Sequence, residues 1–336
     1  MRFGLILVPQ VMNGAPEPFE VLLEQIEYAE ELGYDSVWLT EHHFSEYGRP
    51  AVSAIAGAAI ARTRAIRVST AVVVLPFNDP LRVAEDWATL DHLSKGRVDV
   101  GVGRGNQPAE FAGFGVSMND AEEMFSEALD IIRTAWTTER FTYEGKYYQA
   151  HGFRVTPRPI QQPYPPVYVA ANSPDTFGVV GSLGHSILVA PAIVTTEGAL
   201  TGLASYRAEL AENGHDASTS KVNVNVPIHV AATEKEARAG FTHTVDNYLD
   251  TLRDVGRARG ASKGSSRADS LTADIVMHEF AAVGTPDQVS AKLERLKDMY
   301  APQEFMCWFN IGGMLPHAAV ENSMKLFAKK VMPQFQ

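Results

Sequence analysis

Phe3-Gly4-Leu5-Ile6-Leu7-Val8 is an apolar run, a helical pattern follows at about 17–32, and Ser36-Val37-Trp38-Leu39-Thr40 is a second apolar run. Short apolar, β-branched segments separated by amphipathic helices are typical of βα units around a parallel sheet, because helices then cover the sheet. The same alternation continues to the end of the 336-residue chain. It therefore decides the fold class, which is α/β.

The complete pattern contains eight strand candidates and nine helical candidates. The strand candidates lie at 3–8, 36–40, 66–75, 97–103, 167–171, 185–189, 222–231 and 304–310. The helical patterns lie at about 17–32, 50–61, 80–93, 120–136, 174–183, 196–213, 234–255, 286–299 and 317–331. Eight strands favour closure as a (β/α)₈ TIM barrel, which usually needs roughly 250 residues or more. An open doubly wound sheet is the alternative, but no glycine-rich dinucleotide fingerprint follows the first strand.

Two segments do not fit a plain barrel. Residues 139–166 combine a hairpin-like stretch with a proline-rich run, which predicts an inserted hairpin followed by an extended connector. Residues 256–284 begin with a run rich in Gly, Ser, Arg and Lys, which predicts a long loop that is either functional or mobile. We expect residues 1–336 to form a single domain that contains both segments.

Composition and charge limit which binding partners and which cellular locations are expected. The formal net charge is -11 and the acidic residues are spread along the chain, so no nucleic-acid partner is expected. No segment is apolar over the length of a bilayer, and the start lacks a signal-peptide pattern, so no membrane insertion is expected. The only cysteine, Cys307, lies in an apolar segment and is expected to be a buried thiol. A cytoplasmic location fits these features.

Polar residues that directly follow the second strand are candidates for an active site, because barrel active sites lie at the carboxyl ends of the strands. The first candidates are His42 and His43. Adjacent side chains of an extended backbone point in opposite directions, so this pair alone is not expected to bind a metal. One histidine is expected to be structural or at the rim, and the active-site interpretation is stronger for His42.

Candidate anion-binding residues follow the fourth and fifth strands. Arg104 lies between Gly103 and Gly105, which suits a guanidinium aimed at a phosphate or carboxylate, although such glycines also serve simply as turn residues. Ser173 precedes Pro174 at a helix start, where its hydroxyl caps the helix or, together with the free amides, binds an anion. Both interpretations are open from the spacing alone.

Sequence blocks at these places and elsewhere resemble the bacterial luciferase family, in particular the catalytic α subunit of bacterial luciferase. The matching blocks are Glu41-His42-His43-Phe44-Ser45-Glu46-Tyr47-Gly48, Leu90-Asp91-His92-Leu93-Ser94-Lys95-Gly96-Arg97, Arg104-Gly105, Phe114-Gly115-Val116, Pro166-Val167-Tyr168-Val169, Val283-Gly284-Thr285-Pro286 and Ser323-Met324-Lys325-Leu326-Phe327. They follow the family's order from the first strand to the last helix. The resemblance therefore covers nearly the whole chain.

The resemblance implies a flavin enzyme. In the family, reduced FMN that a separate reductase supplies reacts with O₂ to a C4a-peroxyflavin, which oxygenates an organic substrate. By position, His42 matches the family's catalytic histidine, and His43 is a second catalytic candidate. The segment 256–284 corresponds to the family's mobile loop near the active site, where a cover that excludes water would protect a reactive intermediate.

The resemblance also implies a set of cofactor-binding residues. Arg104 matches a phosphate-binding arginine, and Ser173 and Thr176 match hydroxyl residues that bind the same phosphate, with Asn172 beside them. The family has a non-proline cis peptide at the end of the third strand. Here it would fall within Ala71-Val72-Val73-Val74, so Val72 and Val73 are candidate flavin-binding residues.

The chain departs from the luciferase α subunit at three of these places. Gly103 stands where the α subunit has a reactive cysteine, Asn172 where it has a glutamate, and Glu122 where it has a further phosphate-contacting arginine. These departures indicate a partly rebuilt phosphate site. Light emission from a long-chain aldehyde is not implied.

Three functions are compatible with the sequence. The first is a two-component FMN-dependent monooxygenase that acts on a small apolar compound. The second is a deazaflavin-dependent oxidoreductase on the same barrel, and the third is a non-catalytic flavin-binding subunit. A transient flavin reductase partner and a homodimer, packed through helices at 50–61 and 80–93, are expected from the resemblance.

Overall fold

Eight parallel strands close into a barrel in the computed structural model, which describes residues 1–8, 11–12, 15–16, 19–44, 50–171, 174–258 and 267–336. The barrel strands are β1 Arg2–Leu7, β2 Ser36–Leu39, β3 Arg67–Thr70, β4 Val98–Gly103, β5 Val167–Ala171, β6 Ser186–Val189, β7 Val222–Val230 and β8 Glu304–Trp308. Each strand pairs with the next along the chain, and β8 pairs with β1. The predicted (β/α)₈ barrel and all eight strand candidates are confirmed.

Helices surround the barrel as the sequence predicts. Their bounds are α1 Phe19–Glu31, α2 Val52–Arg62, α3 Pro80–Ser94, α4 Pro108–Phe114, α5 Ala121–Thr137, α6 Pro174–Ser182, α7 Thr196–Glu212, α8 Glu234–Ala258, α9 Arg267–Ser270, α10 Ala273–Glu279, α11 Pro286–Tyr300 and α12 His317–Lys330. The nine predicted helices all occur, with ends within a few residues of the expected ones. Helices α4, α9 and α10 are short, and the sequence pattern did not reveal them.

The inward-facing side chains form a polar layer and an apolar layer. Near the amino ends of the strands, Arg67 pairs with Asp99 at 2.7 Å and Arg2 pairs with Glu304 at 3.2 Å. Buried charges of this kind are tolerated when they are paired. Nearer the carboxyl ends the interior is apolar, and its buried residues are Ile6, Trp38, Tyr168, Leu188, Met306 and Trp308. A ligand that enters from the carboxyl end therefore meets an apolar floor.

The inserted segment 139–166 contains the expected hairpin, formed by Phe141–Glu144 and Gln149–Phe153. The segment 256–284 differs from the prediction. Residues 259–266 lie outside the described residues, but α9 and α10 follow them, and Ala282–Gly284 then pairs parallel with the end of β7. The prediction of a loop through the whole segment was therefore wrong for its second half.

Burial explains why α10 forms there. Thr272 caps the helix by accepting a hydrogen bond from the Ile275 backbone N–H. Leu271, Val276 and Phe280 are buried in the same apolar cluster as the barrel interior. The helix is too short for its periodicity to be recognised in the sequence, and tertiary contacts supply most of its stability.

The predicted non-proline cis peptide is present. It joins Ala71 to Val72, directly after β3, and the chain then continues as the short strand Val73–Val74 beside the end of β4. The predicted strand at 66–75 is thus two strands separated by the cis bond.

Two expectations from composition concern the burial of Cys307 and the possibility of a membrane-spanning helix. Cys307 is fully buried on β8, as expected, and burial raises the pKa of its thiol well above the ordinary value. Within the described part of the chain, no helix is both long enough and apolar enough to cross a membrane.

The tight packing around Gly101 allows a test of the barrel structure. A Cβ at this position, in the middle of β4, would overlap the carbonyl oxygen of Thr70 on β3. We expect Gly101→Ala to lower the free energy of unfolding by more than about 3 kcal/mol, because the strands must separate. Gly57→Ala in α2 is the matched control, since its Cβ would meet only Leu90 at 3.6 Å, and alanine favours a helix by roughly 0.5–1 kcal/mol. Urea unfolding followed by circular dichroism measures both variants; equal stabilities would contradict this packing.

Candidate active site

The predicted site residues lie at the carboxyl ends of four consecutive barrel strands. His42 follows β2, Val72 follows β3, Arg104 follows β4, and Thr176 lies in α6 after β5. Because β2, β3, β4 and β5 are hydrogen-bonded neighbours, these positions lie side by side on one rim of the barrel. This rim is where (β/α)₈ enzymes hold their active sites.

His42 is oriented by a buried carboxylate. Its Nδ1 lies 3.2 Å from Oε1 of Glu110, and the His42 side chain is 30% exposed whereas that of Glu110 is only 5% exposed. A carboxylate oxygen accepts hydrogen bonds, so Nδ1 donates and Nε2 is left as the acceptor. The partly exposed Nε2 is therefore the nitrogen that can exchange a proton with a bound molecule.

Helix α4 places Glu110 beneath the two histidines. Pro108 starts this helix and Gly115, with φ +68°, ends it, so that Glu110 lies in its first turn. The same carboxylate oxygen also accepts from the backbone N–H of His43 at 3.0 Å. Sequence reasoning missed Glu110, because an acidic residue in a first turn is ordinary. Pro108 was the available signal that a helix starts there.

His43 points away from His42, as expected for adjacent residues. Its Nε2 lies 2.8 Å from Oε1 of Glu41, and Oε2 of Glu41 accepts from the Val74 backbone N–H at 2.9 Å. The ring packs edge-on against Phe114 at 4.7 Å between centroids. Glu41 thus joins the end of β2 to the segment after the cis peptide. His43 is only 9% exposed, and its role as a catalytic residue stays a prediction.

The two valines after the cis bond have different surroundings. Val72 is half-buried, and its Cγ2 lies 2.6 Å from the position that a Cβ on Gly103 would occupy. Val73 is 3% exposed and packs in the main core. Only the side chain of Val72 therefore reaches the rim, and the absence of a side chain at Gly103 makes room for it.

Arg104 already has an acidic partner. Its Nη1 lies 2.9 Å from Oε2 of Glu122, and the two side chains are 49% and 56% exposed. An exposed pair of this kind contributes only about 0–1 kcal/mol, so an anion can displace the carboxylate. Thr176 is half-buried in the first turn of α6, whereas Asn172 and Ser173 lie outside the described residues.

Most of the described side chains at the mouth, the open carboxyl end of the barrel, are apolar. Half-buried Val8, Ala71 and Ala170 at the strand ends pack against the cluster that fills the barrel. Tyr248 of α8 contacts Trp308 edge-on, with ring centroids 5.0 Å apart. Ile275 and Met277 of α10 pack against the same cluster. The mouth therefore has an apolar floor and an apolar wall, with His42 and Arg104 as its predicted polar groups.

A cavity of about 160 Å³ lies on the other side of His43, outside the mouth. It is lined by Glu41 and His43, by Val52 at the start of α2, and by Asp86 and Trp87 of α3. This position separates it from the rim that holds His42, Val72 and Arg104. We place the candidate active site at the rim, because the polar groups and the apolar floor converge there.

Comparison with known proteins identifies the family. The model of the family described as luciferase-like monooxygenase matches residues 1–303. The chain belongs to the luciferase-like monooxygenase family. It is therefore an enzyme of the luciferase-like oxidoreductase type, in agreement with the resemblance noted in its sequence.

Individual proteins of known sequence or structure are similar to this chain over nearly its whole length. The alkanal monooxygenase alpha chain of Photorhabdus laumondii is 28% identical over 356 residues, which cover 99% of this chain and 97% of the relative. The crystal structure of monooxygenase RslO1 from Streptomyces bottropensis is 29% identical, with a TM-score of 0.87 and complete coverage of both chains. An F420-dependent secondary alcohol dehydrogenase shares the fold, with a TM-score of 0.80 at 20% identity, and covers 100% of this chain and 99% of its own.

Glu110 can be tested as the residue that orients His42. In Glu110→Gln the side-chain amide can accept from Nδ1 or donate to it, so the tautomer of His42 is no longer fixed. We expect turnover to fall by about 10- to 100-fold, less than the 10²–10⁴-fold that loss of a general acid or base costs. The ¹⁵N shifts of the His42 ring should then show a mixture of tautomers.

The control for this variant is Glu294→Gln, an exposed glutamate that pairs with Lys297 on α11. Both variants should keep the thermal midpoint within a few degrees of the parent. Unchanged turnover and an unchanged tautomer in Glu110→Gln would show that His42 does not depend on this carboxylate.

Proposed function

We propose that this protein is a two-component flavin-dependent monooxygenase that takes reduced FMN from a separate reductase and oxygenates a small apolar organic compound with O₂. The observation that carries the proposal is the His42–Glu110 pair beside an apolar mouth, at the strand ends that follow the Ala71–Val72 bond. Bound reduced FMN would supply the electrons and the carbon centre that reacts with O₂.

The residues of the rim suit the two ends of FMN. A phosphate needs charged or hydrogen-bonding donors, which are the Arg104 guanidinium, the Thr176 hydroxyl and the amino end of α6. The family resemblance adds Asn172 and Ser173 as further binding residues. A flat aromatic ring needs an apolar support without protruding groups. Val72 and Ala71 provide that support, and Val73 fixes the segment from the core side.

The protein's own groups have separate tasks in this proposal. His42 Nε2 exchanges a proton with the reacting atoms, while Glu110 holds the ring in one tautomer. His43 acts together with Glu41, which holds the backbone at Val74 and so fixes the shape of the segment under the ring. The cover that α8 and α10 form near Trp308 excludes water from the mouth.

The substrate class follows from the mouth. Its described walls are aliphatic or aromatic, so a small apolar molecule is bound by burial of its surface, at about 25 cal/mol per Å². The relative from Photorhabdus laumondii, whose name gives alkanals as its substrates, supports an apolar substrate. A cytoplasmic location agrees with this reduced-flavin chemistry and with the buried, unpaired Cys307.

The decisive experiment mixes the anaerobic protein with reduced FMN, admits O₂, and records the absorption spectrum from milliseconds to seconds. A monooxygenase should delay the appearance of oxidised FMN through a long-lived species whose spectrum differs from both flavin forms. His42→Ala should keep FMN bound but lose oxygenation, and His151→Ala, an exposed histidine on the inserted hairpin, is the matched control. Immediate oxidation of FMN by the parent protein would reject the proposal.

A deazaflavin-dependent oxidoreductase is the second candidate, because an F420-dependent dehydrogenase shares this fold. The same anaerobic mixing experiment, repeated with reduced F420, distinguishes the two functions. Reduced deazaflavin consumes little O₂. Binding of F420, together with oxidation of FMN without the long-lived species, would favour this candidate. Tight FMN binding without any turnover would favour a non-catalytic subunit.

We also propose a homodimer packed through α2 and α3. Ala51, Ala54 and Ala58 are exposed and small, which permits close approach of a second copy, and Leu93 on α3 is 64% exposed. Ile55 and Ala59 are buried within the chain itself and are not available to a partner. A monomeric mass by light scattering would reject the dimer.

A further inference from the structure

We infer that Glu122 competes with the cofactor's phosphate for Arg104 and thereby keeps FMN exchangeable. This inference rests on the proposed function, since it concerns the flavin site. The starting observation is the ion pair between Arg104 Nη1 and Glu122 Oε2 at 2.9 Å. Arg104 is the cation at the carboxyl end of β4. The group that pairs with Arg104 therefore determines how strongly an anion binds there.

Glu122 is held where it can compete. It lies in the first turn of α5, where the partial positive charge of the helix amino end favours an acidic side chain. The backbone of α5 therefore fixes one end of the competing carboxylate. The exposure of both side chains leaves the pair open to solvent and to an incoming anion.

A phosphate and the Glu122 carboxylate cannot share the guanidinium without mutual repulsion. A flavin phosphate carries up to two negative charges, and a third charge only a few ångströms away opposes its binding. Arg104 must release Glu122, or bind both anions at reduced strength. The remaining donors, Thr176 and the amino end of α6, then provide a larger share of the phosphate binding.

The consequence is weak discrimination between FMN and riboflavin, which differ only in the phosphate. A two-component monooxygenase receives its flavin from another protein in every cycle and must release it again. A phosphate site that is partly neutralised in advance favours such exchange, because the displaced carboxylate returns to Arg104 when the flavin leaves. Glu122 is thus an affinity-determining residue, distinct from the residues that hold the ring.

The neighbouring glutamate provides a matched control. Glu123 is the next residue of the same helical turn, but it pairs with Nζ of Lys146 at 2.6 Å and accepts from the Tyr147 hydroxyl at 2.9 Å. Glu122→Gln and Glu123→Gln therefore change the net charge and the helix terminus equally. Only the first removes the partner of Arg104.

The experiment measures the dissociation constants of FMN and riboflavin, oxidised and reduced, for the parent and both variants by fluorescence and calorimetry. We expect Glu122→Gln to bind FMN about 3- to 10-fold more tightly, with riboflavin unchanged and the Glu123→Gln values close to the parent. The gain should shrink at high salt and in an Arg104→Met background, because the two residues act as a pair. Thermal midpoints check that each variant is folded.

Two outcomes of these measurements would overturn the competition by Glu122, and a third would overturn the proposed function. Equal FMN affinities in the parent and in Glu122→Gln, with flavin still bound, would overturn the competition and leave the flavin function intact. Weaker FMN binding in Glu122→Gln would also overturn it, because Glu122 would then position Arg104 for the phosphate. Failure of every variant to bind either flavin would overturn the proposed function itself.

Discussion

Closure of the parallel sheet is the constraint on which the rest of the structure depends. The ladder between β4 and β5, from Val100–Val167 to Val102–Val169, joins the two halves of the chain, and β8 completes the ring against β1. Closure gives each of the eight barrel strands a hydrogen-bonded neighbour on both sides and brings their carboxyl ends to one face. Residues that are far apart in the sequence, such as His42 and Arg104, therefore share one rim.

Two buried carboxylates give that rim its fixed geometry. A buried carboxylate must be fully hydrogen-bonded, so Glu41 and Glu110 tolerate few arrangements of their neighbours. Glu110 holds His42 and the backbone of His43, while Glu41 holds His43 and the backbone at Val74. These hydrogen bonds orient both histidine rings without a ligand, and such preorganisation would lower the cost of reaching a reactive geometry in the proposed function.

The proposed anion-binding end, at Arg104, has a different environment. Arg104 and Glu122 are both about half exposed, and their pairing has little net energy in water. In the function proposed above, a fixed His42 beside an exchangeable Arg104–Glu122 pair suits a protein that binds its flavin, reacts once and releases it. Apolar side chains from β8, α8 and α10 pack together in the cluster that fills the carboxyl end of the barrel.

The sequence by itself determined the barrel, because eight short apolar, β-branched runs that alternate with nine helical patterns leave few folds open. It also showed which strand ends carry polar residues, among them His42 and Arg104, whose roles stay predictions. The family resemblance located the cis bond near Val72. Tertiary structure alone decided that Glu41 and Glu110 hold the histidines, that Val73 belongs to the core, and that α10 forms. It also paired Arg104 with Glu122. The physical reason is that these facts depend on contacts between distant segments, and local periodicity carries no information about such contacts.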